Sequence, residues 1–167
     1  MLGIRHLNPN EWQQWRALRL QALADAPDAF SDTLAEALTR PDAHWIERTG
    51  DIPGQQRALL LACDDARPIG MAVIVIDPAA AARANLYAMW VHPSARRSGA
   101  GRALVEEAVD WARTRRVAEI VLGVIETNAP AQRLYQRVGF VETGCRDPVR
   151  AGSRLHTVEM VHRITSR

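Results

Sequence analysis

The sequence predicts an α/β chain built on a mixed sheet, and three observations carry that reading. Helical patterns fill the chain before Arg57. Beyond it, apolar runs of strand length and two amphipathic helix patterns follow one another in the order βββαβαββ. Adjacent strands joined by a short turn pair antiparallel and strand–helix–strand units pair parallel, so this order requires both kinds of pair. The third observation is size: 167 residues, 47% hydrophobic and 24% charged, suit one domain spanning residues 1–167 with a sizeable core.

Each element has a local reason. "GIRHL" reads as a short first strand. Asn8 is a candidate N-cap with Pro9 at the first helical position, and Trp12, Trp15, Leu18, Leu20 and Leu23 recur at helical spacing, which predicts a helix from Pro9 to Ala24. "PDAFSDTLAEAL" and "RPDAHWIERT" read as short helical pieces. "RALLLACDD" and "PIGMAVIVID" are two apolar runs split by the turn-like "DARP", an antiparallel hairpin. "PAAAARA" reads as a loop, and "NLYAMWV" as a strand halted by Pro93. Leu104, Ala108, Trp111 and Ala112 form one stripe, so a helix runs from Gly101 to Arg115. "AEIVLGVI" is a buried strand. "APAQRLYQRVGF" is a helix with Pro130 near its start and Gly139 just past its end. "FVETGCR" and "RLHTVEMVHR" close the chain as strands.

Composition removes several function classes. The longest apolar run, "MAVIVI", is too short to span a bilayer, and "MLGIRHLNPNEW" has no apolar signal core, so a cytoplasmic location without membrane association is expected. Cys63 and Cys145 are the only cysteines. Cys63 sits in an apolar run as a buried hydrophobe, and no CxxC or HExxH pattern supports a metal site. All 21 basic residues are arginine. Without lysine there is no Walker-type phosphate loop, and dispersed arginines at a net charge of +2 argue against nucleic-acid binding.

The stretch "HPSARRSGAGRALVEEA" carries the chemistry. A strand ending at Val91 leads through a loop to a helix start. Such a start presents unpaired amides and a partial positive charge, both favourable to phosphate. Gly99 and Gly101 allow close approach of the backbone, while Arg96, Arg97 and Arg102 add fork-shaped donors. Alone, the stretch reads equally well as a phosphate cradle or as a plain loop before a helix. A dinucleotide-binding reading fails, because Leu104 stands where the third glycine of G-x-G-x-x-G belongs and Pro93 lies between strand and glycines.

Two motifs in register decide between these readings. Val91, Pro93, Arg96, Gly99 and Gly101 resemble the acetyl-CoA signature of the GNAT superfamily of N-acetyltransferases, a strand-ending valine followed by (Arg/Gln)-x-x-Gly-x-(Gly/Ala) opening a helix. Further along, Asn128, Ala131, Leu134, Tyr135, Gly139 and Phe140 resemble the second GNAT motif, N-x-x-A-x-x-L-Y-x-x-x-G-F. The resemblance covers residues 57–145 well and extends less diagnostically over the N-terminal helices. It implies a GNAT-like fold, a central, mixed, mostly antiparallel sheet flanked by helices. It also implies an acetyl-CoA-dependent acyltransferase that passes acetyl directly to a primary amine of a small molecule, peptide or protein.

The resemblance also assigns residues. Amides of Arg96, Arg97, Ser98, Gly99, Ala100 and Gly101, with Arg102, hold the CoA pyrophosphate. The backbone of Met89, Trp90 and Val91 pairs with the pantetheine arm, and the Val91 amide polarises the thioester carbonyl. Asn128 and Ala131, at the start of the second motif's helix, belong to the cofactor site, with Asn128 bonding the pantetheine and also able to cap the helix. Tyr135 protonates the departing CoA thiolate.

Many family members carry a basic glutamate on the strand before the loop, near the position of Tyr87 here. That departure makes Glu126 the first candidate base, followed by Glu159, His156 and His92; a water-relayed base or an amine arriving neutral fits equally. Cys63 and Cys145 fall outside both motifs, so no acetyl-cysteine intermediate is expected. Trp12, Trp15 and Trp45 are core residues first and acceptor-pocket residues second. The alternative function is a catalytically weak acyl-CoA-binding or sensor module of the same fold. The resemblance is compatible with a homodimer and names no acceptor.

Overall fold

The computed structural model describes residues 1–165. The chain runs β1 (Leu2–His6), α1 (Trp12–Asp25), α2 (Leu34–Thr39), α3 (Asp42–Thr49), β2 (Arg57–Asp64), β3 (Arg67–Asp77), β4 (Ala80–Val91), α4 (Ala100–Thr114), β5 (Glu119–Ile125), α5 (Ala129–Val138), β6 (Val141–Pro148) and β7 (His156–Arg163). Short 3-10 turns at Pro9–Glu11, Pro27–Ala29 and Pro93–Ala95 lead into or out of these elements. The strands form one sheet in the order β1-β2-β3-β4-β5-β7-β6. Every neighbouring pair is antiparallel except β4–β5, so the mixed, mostly antiparallel sheet read from the sequence is present.

Local chemistry sets the helix ends. The helix expected from Pro9 begins as a 3-10 turn, where the Glu11 carboxylate accepts the Asn8 amide at 2.8 Å, and continues as α1 from Trp12. A capping box opens α2: Thr33 Oγ1 accepts the Glu36 amide at 3.2 Å, and the Glu36 carboxylate accepts the Thr33 amide at 2.9 Å. Asn128 caps α5, its Oδ1 accepting the Ala131 amide at 3.2 Å. Gly139 ends α5 at φ +106, where a Cβ would meet the His162 ring at 3.0 Å.

One expectation is corrected. The segment expected as a loop, "PAAAARA", turns only at Pro78 and Ala79, and Ala80 already belongs to β4. Alanine is a poor strand former, but β3 dictates the outcome: Ile76 pairs with Ala84 and Val75 with Asn85, and Ala84 is fully buried. The Asp77 carboxylate closes the turn by accepting the Ala79 amide at 2.8 Å.

The sheet separates two cores. On one face α4 and α5 pack through Leu104, Ala108, Trp111, Tyr135 and Phe140 against Leu60, Ile74, Leu86, Ile120 and Met160. On the other, α1–α3 pack through Trp15, Leu18, Leu23 and Trp45 against Leu59, Leu61, Met71, Val73 and Trp90. Trp90 belongs to the α1–α3 side.

His162 gives the fold a pH dependence. Its Nδ1 is buried without a hydrogen-bond partner, and burial holds its pKa below the ordinary histidine value, aided by the Arg113 charge. The unfolded chain therefore takes up a proton more readily than the folded one. Stability from His162 is fully present above about pH 6.5 and is lost as pH falls through its lower folded value. Urea denaturation on either side of that pH is expected to show wild-type stability declining on acidification, and His162→Asn declining less.

Candidate active site

The site begins where the sheet opens. Strands β4 and β5 run parallel but pair only at Arg83–Glu119, Ala84–Ile120 and Asn85–Val121. Beyond these residues the two strands no longer pair with each other, and their carboxyl ends lead toward α4 and α5. A crevice outside the carboxyl ends of parallel strands is where open α/β sheets bind ligands. The His92 amide bonds to Ile69 O at 2.8 Å. By the alternation of an antiparallel ladder, the Val91 amide then points away from β3, toward the gap β5 has left. The register shift between Met71 and Val73 places a bulge at Ala88, which takes φ +53 and re-aims the end of β4.

The glycine loop completes one wall. Gly99 caps α4 at φ +92, and the Gly101 and Arg102 amides have no acceptor among the described residues. Ser98 Oγ accepts the Ala100 amide at 3.3 Å. A Cβ on Gly101 would meet Leu134 at 3.1 Å and Met89 at 3.4 Å, so this glycine lets α4, α5 and β4 converge. The Arg97 side chain is exposed and free of partners among the described residues, whereas Arg102 pairs with Glu106 at 2.7 Å. Arg96 departs from the expectation that it faces phosphate: its guanidinium pairs with Asp25 and bonds Val91 O at 3.1 Å. Asp25 also accepts Trp90 Nε1 at 2.9 Å, tying the loop to α1. Arg96 thus holds the strand end in place with its side chain, while its amide bonds Pro93 O at 3.3 Å.

From α5 come Asn128, exposed at the N-cap, and half-buried Ala131. Tyr135 is buried, its ring 5.8 Å from Phe140, and burial raises its pKa well above the ordinary tyrosine value. Its hydroxyl therefore stays protonated and has no hydrogen-bond partner among the described residues.

The carboxylates are placed differently from the order the sequence suggested. Glu126 pairs with Arg146 at 2.8 Å, accepts the His156 amide at 3.3 Å and lies 3.7 Å from His156 Nδ1. It is committed to fastening the ends of β5, β6 and β7. A cavity of about 240 Å³ opens beside the β4–β5 separation, and Glu159, Asp147, Thr157, Gly123 and Tyr87 line it. Glu159 lies opposite Gly123 and accepts Thr143 Oγ1 at 2.9 Å. His92 is engaged with Ser94, its Nδ1 2.7 Å from Oγ, at the start of the 3-10 turn.

A second cavity, of about 150 Å³, lies on the α1–α3 side and shares Tyr87 with the first. Trp15 lines it and is also core, while Trp45 is buried in the core and Trp12 packs against it. Sequence reading missed the arginines of this cavity, Arg19, Arg40, Arg48 and Arg57. They come from α1, the end of α2, α3 and β2, so no spacing announces them. Among the described residues no group of three or more His, Cys, Asp or Glu side chains could hold a metal, and no helix is long and apolar enough to cross a membrane.

Comparison with known proteins places this architecture. The acetyltransferase (GNAT) family profile matches residues 12–140. A mycothiol acetyltransferase of Acidothermus cellulolyticus is 31% identical over 143 residues, covering 78% of this chain and 41% of that protein. The chain thus spans about two fifths of the length of the curated relatives it matches. The GNAT-family acetyltransferase of Streptococcus pneumoniae superposes with a TM-score of 0.84 at 21% identity, over 98% of this chain and 100% of that one. YncA of Salmonella typhimurium, solved with acetyl-CoA, gives 0.78 at 20% identity, over 100% and 96%. A GNAT profile over most of the chain, on a sheet that opens between β4 and β5 beside a glycine-capped helix, makes this chain a member of the GNAT acetyltransferase family.

Proposed function

We propose that the protein is an N-acetyltransferase that moves acetyl from acetyl-CoA to a primary amine by direct attack in a ternary complex. The observation that carries this reading is the convergence at one crevice of an unpaired β4 edge, the free Gly101 and Arg102 amides and the helix bearing Tyr135. Amide donors at a helix start, without a competing side chain at positions 99 and 101, suit a pyrophosphate. Acetyl-CoA supplies an activated thioester when bound. The Gly101 and Arg102 amides, with those of Arg97 and Gly99 and the Arg97 and Arg102 side chains, hold its phosphates, while the Arg96, Ser98 and Ala100 amides are engaged within the loop by Pro93 O, Ala95 O and Ser98 Oγ. Strand β4 from Met89 to Val91 lies along the pantetheine, and the Asn128 side-chain amide, whose oxygen already caps α5, donates to it.

Chemistry needs three things of the chain. The Val91 amide donates to the carbonyl oxygen as negative charge builds there. Tyr135 gives its proton to the departing thiolate sulfur, a role supported by its place on the helix beside the crevice and not by its pKa, which burial raises. The acceptor must lose a proton, and Glu159 serves this better than Glu126, because it faces the gap cavity while Glu126 is held by Arg146 and His156. A water bridging Glu159 to the amine supplies the reach. The engagement of Glu126 is also what favours the second reading, an acyl-CoA-binding module with little turnover.

Incubation of the protein with acetyl-CoA and a broad panel of primary amines separates the two. Release of CoA thiol together with N-acetylated product supports the transferase. Acetyl-CoA binding without release across the panel supports the binding module.

A further inference from the structure

Four arginines converge on the cavity that shares Tyr87 with the donor gap. Arg19, Arg40, Arg48 and Arg57 line it, with Asp32 the one carboxylate among its lining residues. Asp32 is already committed to two of them, accepting Arg40 Nη1 at 3.0 Å and Arg19 Nη2 at 3.3 Å. Arg48 and Arg57 have no carboxylate partner among the described residues; Arg57 donates instead to the carbonyls of Gly50 and Glu47. Arg19 is held rigidly, its guanidinium 4.4 Å over the Phe30 ring, and its Nη1 is buried with no hydrogen-bond partner. Burial depresses the Arg19 pKa against the opposing pull of Asp32, and the neighbouring Arg48 and Arg40 charges lower it further.

An excess of planar, forked donors in a small cavity is the chemistry that recognises a carboxylate or a phosphate. The position says what that anion belongs to. Tyr87 lines both this cavity and the gap beside β5, so a short molecule seated on the arginines reaches toward the thioester from the α1–α3 side. A volume of about 150 Å³ suits an acid group and a short chain rather than a folded partner. We infer that the acceptor is a small amine that also carries a carboxylate or phosphate, clamped by Arg19, Arg40, Arg48 and Arg57 with its amine directed past Tyr87. This rests on the transferase reading and narrows it from any primary amine to an anionic one.

The test uses pairs of amines that differ in the acid group alone: alanine against alaninamide, and phosphoethanolamine against ethanolamine, each with acetyl-CoA and the full chain. The anionic member of at least one pair is expected to have a kcat/KM at least about tenfold higher, and the pair that shows it separates carboxylate from phosphate. Arg57→Gln and Arg48→Gln are expected to bring that pair toward parity through KM rather than kcat. Arg48 is exposed and makes no hydrogen bond among the described residues, so its variant reports on the clamp even if Arg57→Gln fails to fold. Equal use of both members of both pairs, or a preference that Arg48→Gln leaves untouched, overturns the inference while leaving acetyl transfer intact. If no amine is acetylated, inorganic phosphate is titrated by calorimetry with CoA present to fill the glycine loop. Binding of phosphate, or of acetate titrated in the same way, that Arg48→Gln weakens upholds the clamp and sinks the transferase reading; binding of neither anion sinks both.

Discussion

Tyr135→Phe is expected to lower kcat by about 10²–10⁴-fold while acetyl-CoA binding stays close to wild type. The change removes one oxygen from a ring that otherwise keeps its place against Phe140 in the α4–α5 core. The hydroxyl has no partner among the described residues, so its loss strands no buried donor or acceptor, and the fold is retained. What disappears, under the proposed mechanism, is the proton for the departing thiolate. A structural tyrosine would behave differently, because phenylalanine would fill its site and leave the rate unchanged. Single-turnover rates with saturating acetyl-CoA make the distinction. Full activity of the variant when chemistry is rate-limiting would show that Tyr135 is not the acid.

The second large effect lies in the loop. Gly99→Val is expected to weaken acetyl-CoA binding by about tenfold or more, since even one lost amide–phosphate bond is worth about 1.5–3 kcal/mol. Space is not the reason: a Cβ at Gly99 would approach only Leu2, at 3.9 Å. The reason is φ +92, a conformation that β-branched residues essentially do not adopt, so the chain must turn differently and the amides behind it lose their aim. The cost to the fold is small, about 1–2 kcal/mol or a Tm lower by less than about 8 °C, because the loop is exposed. Calorimetric titration of acetyl-CoA alongside a thermal melt separates the two effects. Unchanged affinity would mean that the loop conformation does not hold the donor.

These two residues were singled out by the GNAT resemblance, and local rules account for the backbone around them. Gly99 needs a positive φ at a helix start, and Tyr135 stands in a helix bounded by Asn128 and Gly139, whose cap and left-handed exit the structure contains. Helix stripes and apolar runs likewise foretold the elements and the coexistence of parallel and antiparallel pairs. Legibility failed where the answer is a tertiary partner. Ala80–Ala84 is a strand because β3 lies beside it, not because alanines favour one. Arg96 matches its motif, yet turns to Asp25 on α1. Glu126 reads as a free carboxylate at a strand end until Arg146 arrives from β6. The arginines of the second cavity look merely dispersed along the chain, and folding gathers them.

Direct transfer is the center of this account, and intact-mass measurement tests it most simply. The protein is mixed with acetyl-CoA alone, then with an amine from the panel that it acetylates, and protein and small molecules are weighed at both stages. The protein mass is predicted to stay unchanged throughout, with CoA released only once the amine is present and in equal amount to its acetylated product. An acetylated protein that passes its group to the amine, or CoA released with no acetylated amine, would contradict direct attack in a ternary complex.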